Sequence, residues 1–367
     1  MALTPPPNTR TPREAHRIDE VSLGRWLGEH VEGCKGGEVT VLQFKGGQSN
    51  PTYWVGVEGS AREGLDTNGG LAFVVRKKPP GKLLPSAHAV EREYRIMRAL
   101  RGTDVPVPDA VALCEDETVI GTPFFVMRWL PGRIFWDPTL PELASNEARC
   151  ALYKEYVRVL AALHKVDYAA VGLGDYGKVG GFVVRQVERW SKQYQASRTS
   201  DVPSMEVLMR WLGENIPDGD ETTLVHGDYR IDNLMWSPES TREPKAIALL
   251  DWELSTLGHP LSDLAYACMG YHLNMPGRGG LAGIDVTALG IPTENELVSE
   301  YKMLTGRERI DGWPFFMAFG IFRLAAIAQG VYARSLQGNA SSDDAGTYGF
   351  AVKMLSELAC SIANVKW

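Results

Sequence analysis

The chain has 367 residues, more than one hydrophobic core usually supports, so two packed lobes are expected. Its 44% hydrophobic and 23% charged residues exclude a disordered or fibrous protein, and the net charge of -7 lacks the basic character of a nucleic-acid binder. Five scattered cysteines without a C-x-x-C pair argue against a disulfide framework or a zinc site, and with no signal-like apolar core near Met1 a cytoplasmic protein is expected.

Residues 1–18, rich in Pro and Thr, read as a flexible tail. A helix is predicted over Val21–His30. Three β-type runs follow, Val39–Phe44, Thr52–Val57 and Leu71–Arg76, separated by Gly-rich turns in the manner of an antiparallel meander. Ala87–Leu100 has helical apolar spacing, and Ala110–Cys114 and Pro123–Trp129 are further strands. Beyond Gly132 the pattern turns helical: Asn146–Lys165, Val183–Tyr194, Ser204–Glu214, Leu261–Gly270, Glu294–Leu304, Phe315–Leu336 and Tyr348–Ile362. Thr293 and Glu296 have the spacing of a capping box. A β island, Thr222–Trp236 and Ala246–Asp251, interrupts the helices. The apolar run 315–333 contains Arg323 and Gln329, short of the ~18 uninterrupted apolar residues of a membrane span, so a buried helix is expected and no membrane partner. The fold class is therefore α+β: a small antiparallel β-rich N-terminal lobe with one helix, 19–128, and a larger, mainly helical lobe, 129–367.

The chemistry is concentrated in His226-Gly227-Asp228-Tyr229-Arg230-Ile231-Asp232-Asn233 and, after an apolar run, Asp251-Trp252-Glu253. An aspartate, an asparagine five residues on, and a later aspartate closing a strand match the order of a phosphoryl-transfer site. Asp228 would accept the proton of an attacking hydroxyl. Asn233 and Asp251 would supply hard oxygen donors to Mg²⁺, which usually keeps water and substrate phosphates in its shell. His226 is expected to hold the loop backbone; Asp263 is read as bracing the loop, against a plain helix first-turn acid, and Asp232 as structural, against a solvent-facing residue.

A nucleotide clamp is sought upstream. Gly46, Gly47, Ser49 and Asn50 lie between two strands, where glycines would admit phosphates to backbone N–H groups; a plain hairpin is the competing reading. Kinase chemistry wants a cation on the third strand opposite a glutamate on the next helix. Arg76 and Glu93 fit best, with Lys77 and Glu91 as substitutes, and an arginine there departs from the usual lysine. Gly172-Leu173-Gly174-Asp175-Tyr176-Gly177 fits the dinucleotide fingerprint, but it follows a helix instead of a strand and reads as a turn. The acceptor pocket is expected from the helical lobe, around Gly180–Gln195 and Tyr271–Asp285.

Together, Val90-Glu91-Arg92-Glu93, Phe124–Gly132, the H-G-D and Asn233 set, Leu250-Asp251-Trp252-Glu253 and Gly258-His259-Pro260 with Asp263-Leu264-Ala265 resemble the aminoglycoside phosphotransferase-like (choline kinase-like) family. More narrowly, Arg76–His88 is similar to kinase modules fused to or encoded with acyl-CoA dehydrogenases. The resemblance implies a bilobal protein-kinase-like fold, ATP or GTP as donor, magnesium, and a small hydroxylated acceptor such as a hydroxyacyl-CoA or an amino alcohol. It also implies that Met127, Arg128, Trp129 and Leu130 form the segment that meets the purine, and it suggests a functional link to an acyl-CoA dehydrogenase. A nucleotide-binding pseudokinase acting as a partner module is the reading from a different class.

Overall fold

The computed structural model describes residues 3–45, 50–59, 70–79, 88–238, 244–275, 279–336 and 345–367. They divide into two compact units: 1–133 with 247–253, and 134–246 with 254–367.

The first unit contains β1 (Thr9–Arg10), α1 (Glu20–His30), β2 (Glu38–Phe44), β3 (Thr52–Glu58), β4 (Leu71–Lys77), α2 (Val90–Leu100), β5 (Ala110–Cys114), α3 (Glu117–Ile120) and β6 (Phe124–Arg128). Its six strands form one antiparallel sheet in the order β1-β2-β3-β4-β6-β5. Strand alternation sends Tyr53, Val55, Val57, Phe73, Val75, Phe124 and Val126 to one face, where they pack with Leu23, Trp26 and Leu27 of α1. Trp26 meets Phe124 edge-on with ring centroids 4.9 Å apart. On the opposite face Phe125 meets Tyr94 of α2. Each large side chain so buried contributes roughly 1.5–3 kcal/mol. Helix α2 buries Glu93, Ile96, Met97 and Leu100, one stripe at helical spacing that carries a carboxylate inward with the apolar groups.

The segment read as a tail contains a short strand. Residues 3–18 are tied to the sheet: β1 pairs with Gln43 and Phe44 of β2, and the Tyr53 hydroxyl donates to the His16 carbonyl. A two-residue strand shows no periodicity, so nothing in the Pro- and Thr-rich composition revealed it. Helix α2 begins at Val90; the predicted start at Ala87 lies outside the described residues. The segment 247–253, which the sequence placed in the second lobe, groups with the first unit: Leu249 N–H donates to the Pro106 carbonyl, and Trp252 Nε1–H donates to the Leu249 carbonyl.

The second unit continues with α4 (Asn146–Lys165), α5 (Phe182–Ser197), α6 (Pro203–Glu214), β7 (Thr223–Val225), β8 (Leu234–Trp236), β9 (Ala246–Leu249, mostly in the first unit), β10 (Thr256–Gly258), α7 (Pro260–Cys268), β11 (Asn274–Met275), β12 (Gly279–Gly280), α8 (Glu294–Thr305), α9 (Trp313–Leu336) and α10 (Ala345–Ile362). Helix α8 starts with the Thr293–Glu296 capping box read from the sequence. Helix α9 is long and apolar enough to cross a membrane by composition, yet most of it is buried, packed against α5, α7 and α10. The single β run expected over 222–236 is two short strands, β7 and β8, separated by the loop that carries Asp228. Strand β7 pairs antiparallel with β10. The glycine-rich segment 172–177 is a turn between α4 and α5, and packing explains its last glycine: a Cβ at Gly177 would sit 2.7 Å from Leu257 N.

Candidate active site

In the second unit β7 delivers the chain into His226-Gly227-Asp228, and a short 3₁₀ turn, Ile231–Asn233, folds it back. Gly227 is required twice over: its φ is +83°, and a Cβ there would lie 2.7 Å from the Leu254 carbonyl oxygen. The turn brings Asn233 onto Asp228. Its Nδ2 donates to the Asp228 carbonyl at 2.8 Å and to carboxylate Oδ2 at 3.1 Å. That orientation commits the amide nitrogen and leaves Asn233 Oδ1 as an oxygen donor.

The loop is anchored on both sides of Asp228. Asp263, in the first turn of α7 and 2% exposed, accepts the backbone N–H groups of His226 and, at 2.8 Å, of Gly227. Burial opposes ionisation of Asp263, but hydrogen bonding and the neighbouring His164 and His226 outweigh it, and the pKa is lowered. His164 of α4 places Nε2 3.5 Å from Asp263 and Nδ1 2.7 Å from the Tyr301 hydroxyl. His226 is buried, and its Nδ1 accepts the Asp228 N–H at 3.3 Å. Beyond Asp228, Tyr229 and Tyr156 exchange hydrogen bonds: each hydroxyl donates to the other's carbonyl, at 2.7 and 3.1 Å.

Arg230 donates from Nη2 to Asp232 at 2.8 Å and holds Nε 3.8 Å from the Asp228 carboxylate. Asp232 is thus paired with Arg230. Arg230 and Asp232 also line a cavity of about 410 Å³ whose walls include Trp136, Tyr153, Tyr271 and Leu281. Tyr266 stands in the same wall, its hydroxyl pKa raised by burial and by the nearby charge of Asp228. Of the two stretches expected to form an acceptor pocket, 271–285 contributes to this lining and 180–195 does not, because α5 is packed against α6 and α9.

In the first unit Arg76 ends β4. Its Nε lies 3.0 Å from Glu93 of α2, its Nη2 2.8 Å from Asp251 Oδ1, and Glu253 stands 3.9 Å away. Arg76 thus takes the partner expected of it. Lys77 is buried over the Tyr53 ring with its pKa lowered by that burial, and Lys78 pairs with Glu91 at 2.9 Å. Burial disfavours the Arg76 charge, but Glu93 and Asp251 more than restore it. For Glu93 burial raises the pKa and Arg76 lowers it, while Asp251 and Glu253 add to the upward push; the result is about 7. Asp251 has φ +62°, left-handed backbone that a residue with a Cβ seldom takes. Its side chain is 42% exposed, and Arg76 engages only Oδ1.

Asn50 is buried, with its carboxamide spent on Glu93 and His88. Gly46, Gly47 and Ser49 lie outside the described residues. Met127 and Arg128 pair with Val74 and Phe73 of β4; Arg128 N–H donates to Asp109 and Trp129 N–H to Ala72, and the Trp129 ring stacks on Phe44. Leu130 follows directly in the chain. The sequence reading missed His88 and Glu253, although both stood at the ends of motifs it quoted, and it missed Arg230 and Tyr266.

Asn233 Oδ1 and Asp251 Oδ2 are the hard oxygens a magnesium ion prefers, each within its own unit, so the residues present fit that ion. Among the described residues no cluster of three His, Cys, Asp or Glu side chains could hold a metal alone.

The antiparallel sheet with its Arg76–Glu93 pair, the Asp228–Asn233 loop and the left-handed Asp251 define a phosphotransferase of protein-kinase-like fold. The model of the phosphotransferase enzyme family matches residues 40–297, and the chain belongs to that family. Acyl-CoA dehydrogenase family member 10 of Mus musculus is 46% identical over 98% of this chain and 32% of its own length. The chain spans less than half of the curated relatives it matches. A provisionally named aminoglycoside phosphotransferase from Ralstonia eutropha JMP134 has a TM-score of 0.84 and 45% identity, covering 95% of this chain and 99% of that one. Choline kinase from Cryptosporidium parvum shares the fold, with a TM-score of 0.63, 12% identity and coverage of 94% and 98%. The family read from the motifs is thus the observed one, and relatives named for acyl-CoA dehydrogenases agree with the narrower resemblance.

Proposed function

We propose that the protein is a kinase that moves the γ-phosphate of ATP or GTP to a hydroxyl of a small molecule. The observation that carries this reading is the setting of Asp228: a carboxylate fixed by Asn233 on a backbone pinned by Asp263, with Arg230 connecting it to a cavity in the same unit. Asp228 orients the acceptor hydroxyl and takes its proton as phosphoryl transfer proceeds. Arg76, held by Glu93, supplies positive charge to the nucleotide phosphates. Magnesium, with Asn233 and Asp251 as its protein ligands, would neutralise charge on those phosphates. Most of the rate comes from positioning and electrostatics, since phosphoryl transfer asks for little covalent participation by the protein.

The acceptor we favour is a hydroxyacyl-CoA or a related hydroxy acid. Two observations support it: aromatic and aliphatic cavity walls, and relatives named for acyl-CoA dehydrogenases. A polycationic amino sugar finds less support, because the only acidic residue in the described lining, Asp232, is already paired with Arg230. The test is nucleotide consumption in magnesium with a panel of hydroxyacyl-CoAs, free hydroxy acids, amino alcohols and aminoglycosides, with product mass measured. Phosphorylation of a hydroxyacyl compound is expected. Transfer confined to aminoglycosides would refute the acceptor assignment, and absence of transfer to every member would count for the pseudokinase reading.

A further inference from the structure

His88 closes the Arg76–His88 motif, and the kinase reading leaves it without a role. It precedes α2 with φ +58°, a conformation glycine takes freely and histidine takes at a cost. The side chain does not cap the helix that follows; the N-cap position, Ala89, has no side-chain cap at all. Instead the imidazole is half-buried, with Nδ1 3.0 Å from Asn50 Oδ1 and 3.5 Å from a carboxylate oxygen of Glu253. Asn50 Nδ2 donates to the Glu93 carboxylate at 2.8 Å, so Oδ1 is the atom that faces His88, and with Glu253 as a second acceptor the tautomer that donates from Nδ1 fits this position.

A proton on Nδ1 holds the buried amide in that orientation. With its oxygen committed to His88, Asn50 must turn Nδ2 the other way, where it donates to Glu93 at 2.8 Å. Glu93 in turn holds Arg76, and Arg76 reaches Asp251. Glu253, the second acceptor, is two residues beyond Asp251 in the same short segment. The bonds form a closed circuit in which His88 touches both arms: Asn50 and Glu93 on one side, and the 251–253 turn on the other. A reversed Asn50 would present oxygen to the Glu93 carboxylate, and the ion pair would lose its second support.

We infer that His88 is a positioning residue for the nucleotide clamp: it fixes the Asn50 amide and the Asp251–Glu253 turn, and thereby the Arg76 guanidinium that meets the phosphates. The inference rests on the kinase reading above for its ligand. It accounts for a strained residue at a position glycine would occupy without strain, since glycine has no side-chain donor to offer.

Two substitutions separate the side chain from the backbone. His88→Gly removes the donor and the strain together. His88→Asn keeps an N–H donor on the atom equivalent to Nδ1 and tolerates positive φ. Binding of MgATP to the full chain is measured by calorimetry, alongside thermal unfolding. The expected result is a His88→Gly protein whose heat stability stays near that of wild type, relief of strain offsetting the lost hydrogen bond, but which binds MgATP about tenfold more weakly, with binding recovered to within about threefold in His88→Asn. A His88→Gly protein that binds MgATP like wild type overturns the inference while leaving the kinase reading intact. Wild type that binds neither MgATP nor MgGTP overturns that reading and the ligand assignment with it. A readout free of nucleotide is the double-mutant cycle of His88→Gly with Glu93→Gln in urea unfolding, where non-additivity is expected. Strict additivity breaks the circuit whatever the nucleotide result.

Discussion

In the first unit Arg76 is held by side chains, one guanidinium among Glu93, Asp251 and Glu253. In the second, the loop around Asp228 is held by its own backbone, through N–H groups donated to a single buried carboxylate, Asp263. The first arrangement sets one guanidinium among three carboxyl groups, all of them side chains. In the second the anchored groups are peptide N–H groups, which carry no net charge. A site that must admit and release a charged ligand suits the first kind of support; a base that must stay aimed suits the second.

The largest expected effect tests whether the second arrangement serves Asp228 at all. Asp228→Asn keeps an acceptor for Asn233 and removes the base, so kcat should fall roughly a thousandfold while MgATP affinity stays within about twofold. Steady-state kinetics paired with calorimetry checks it, and unchanged turnover would refute the assignment. Next comes the anchor. Asp263→Asn offers one acceptor where two N–H groups need it, and should cost about 3 kcal/mol in urea unfolding, with a lower kcat and little change in nucleotide affinity.

The two buried carboxylates should also titrate in opposite senses. Asp263 has a lowered pKa, so its contribution is in place above the ordinary carboxylate range near 4 and is lost as pH falls through its folded value. Glu93, raised to about 7, binds its proton more tightly when folded. Its contribution is full below the unfolded value and disappears as pH rises through about 7. Between pH 5 and 8, wild type should therefore lose stability relative to Glu93→Gln as pH rises; relative to Asp263→Asn it should lose stability only on the acid side. Parallel pH profiles for the two variants would remove the distinction between the units. The smallest effect is the control: Lys78→Ala breaks a partly exposed pair with Glu91 and should shift stability by no more than about 0.5 kcal/mol.

Much of this was legible before any coordinates. The Asp228–Asn233 spacing and the bracing of the loop by Asp263 could be read from motif order, and the long helices from their apolar period, because a one-dimensional pattern carries both. What escaped has short or non-local causes. Strands of two or three residues, such as β1 and β10, complete no period. The cavity draws its walls from several separated segments, so its lining has no linear signature. His88 could be seen as the end of a motif, but its partners lie 38 and 165 positions away in sequence.

The left-handed backbone at position 251 narrows what can stand there. At φ +62° glycine is comfortable, and asparagine and aspartate are the next most tolerated. Only one of these three side chains ends in a charged oxygen pair. Asn or Gly at this position would keep the backbone conformation without added strain and remove the anion, so charge and fold are separable here by a single residue.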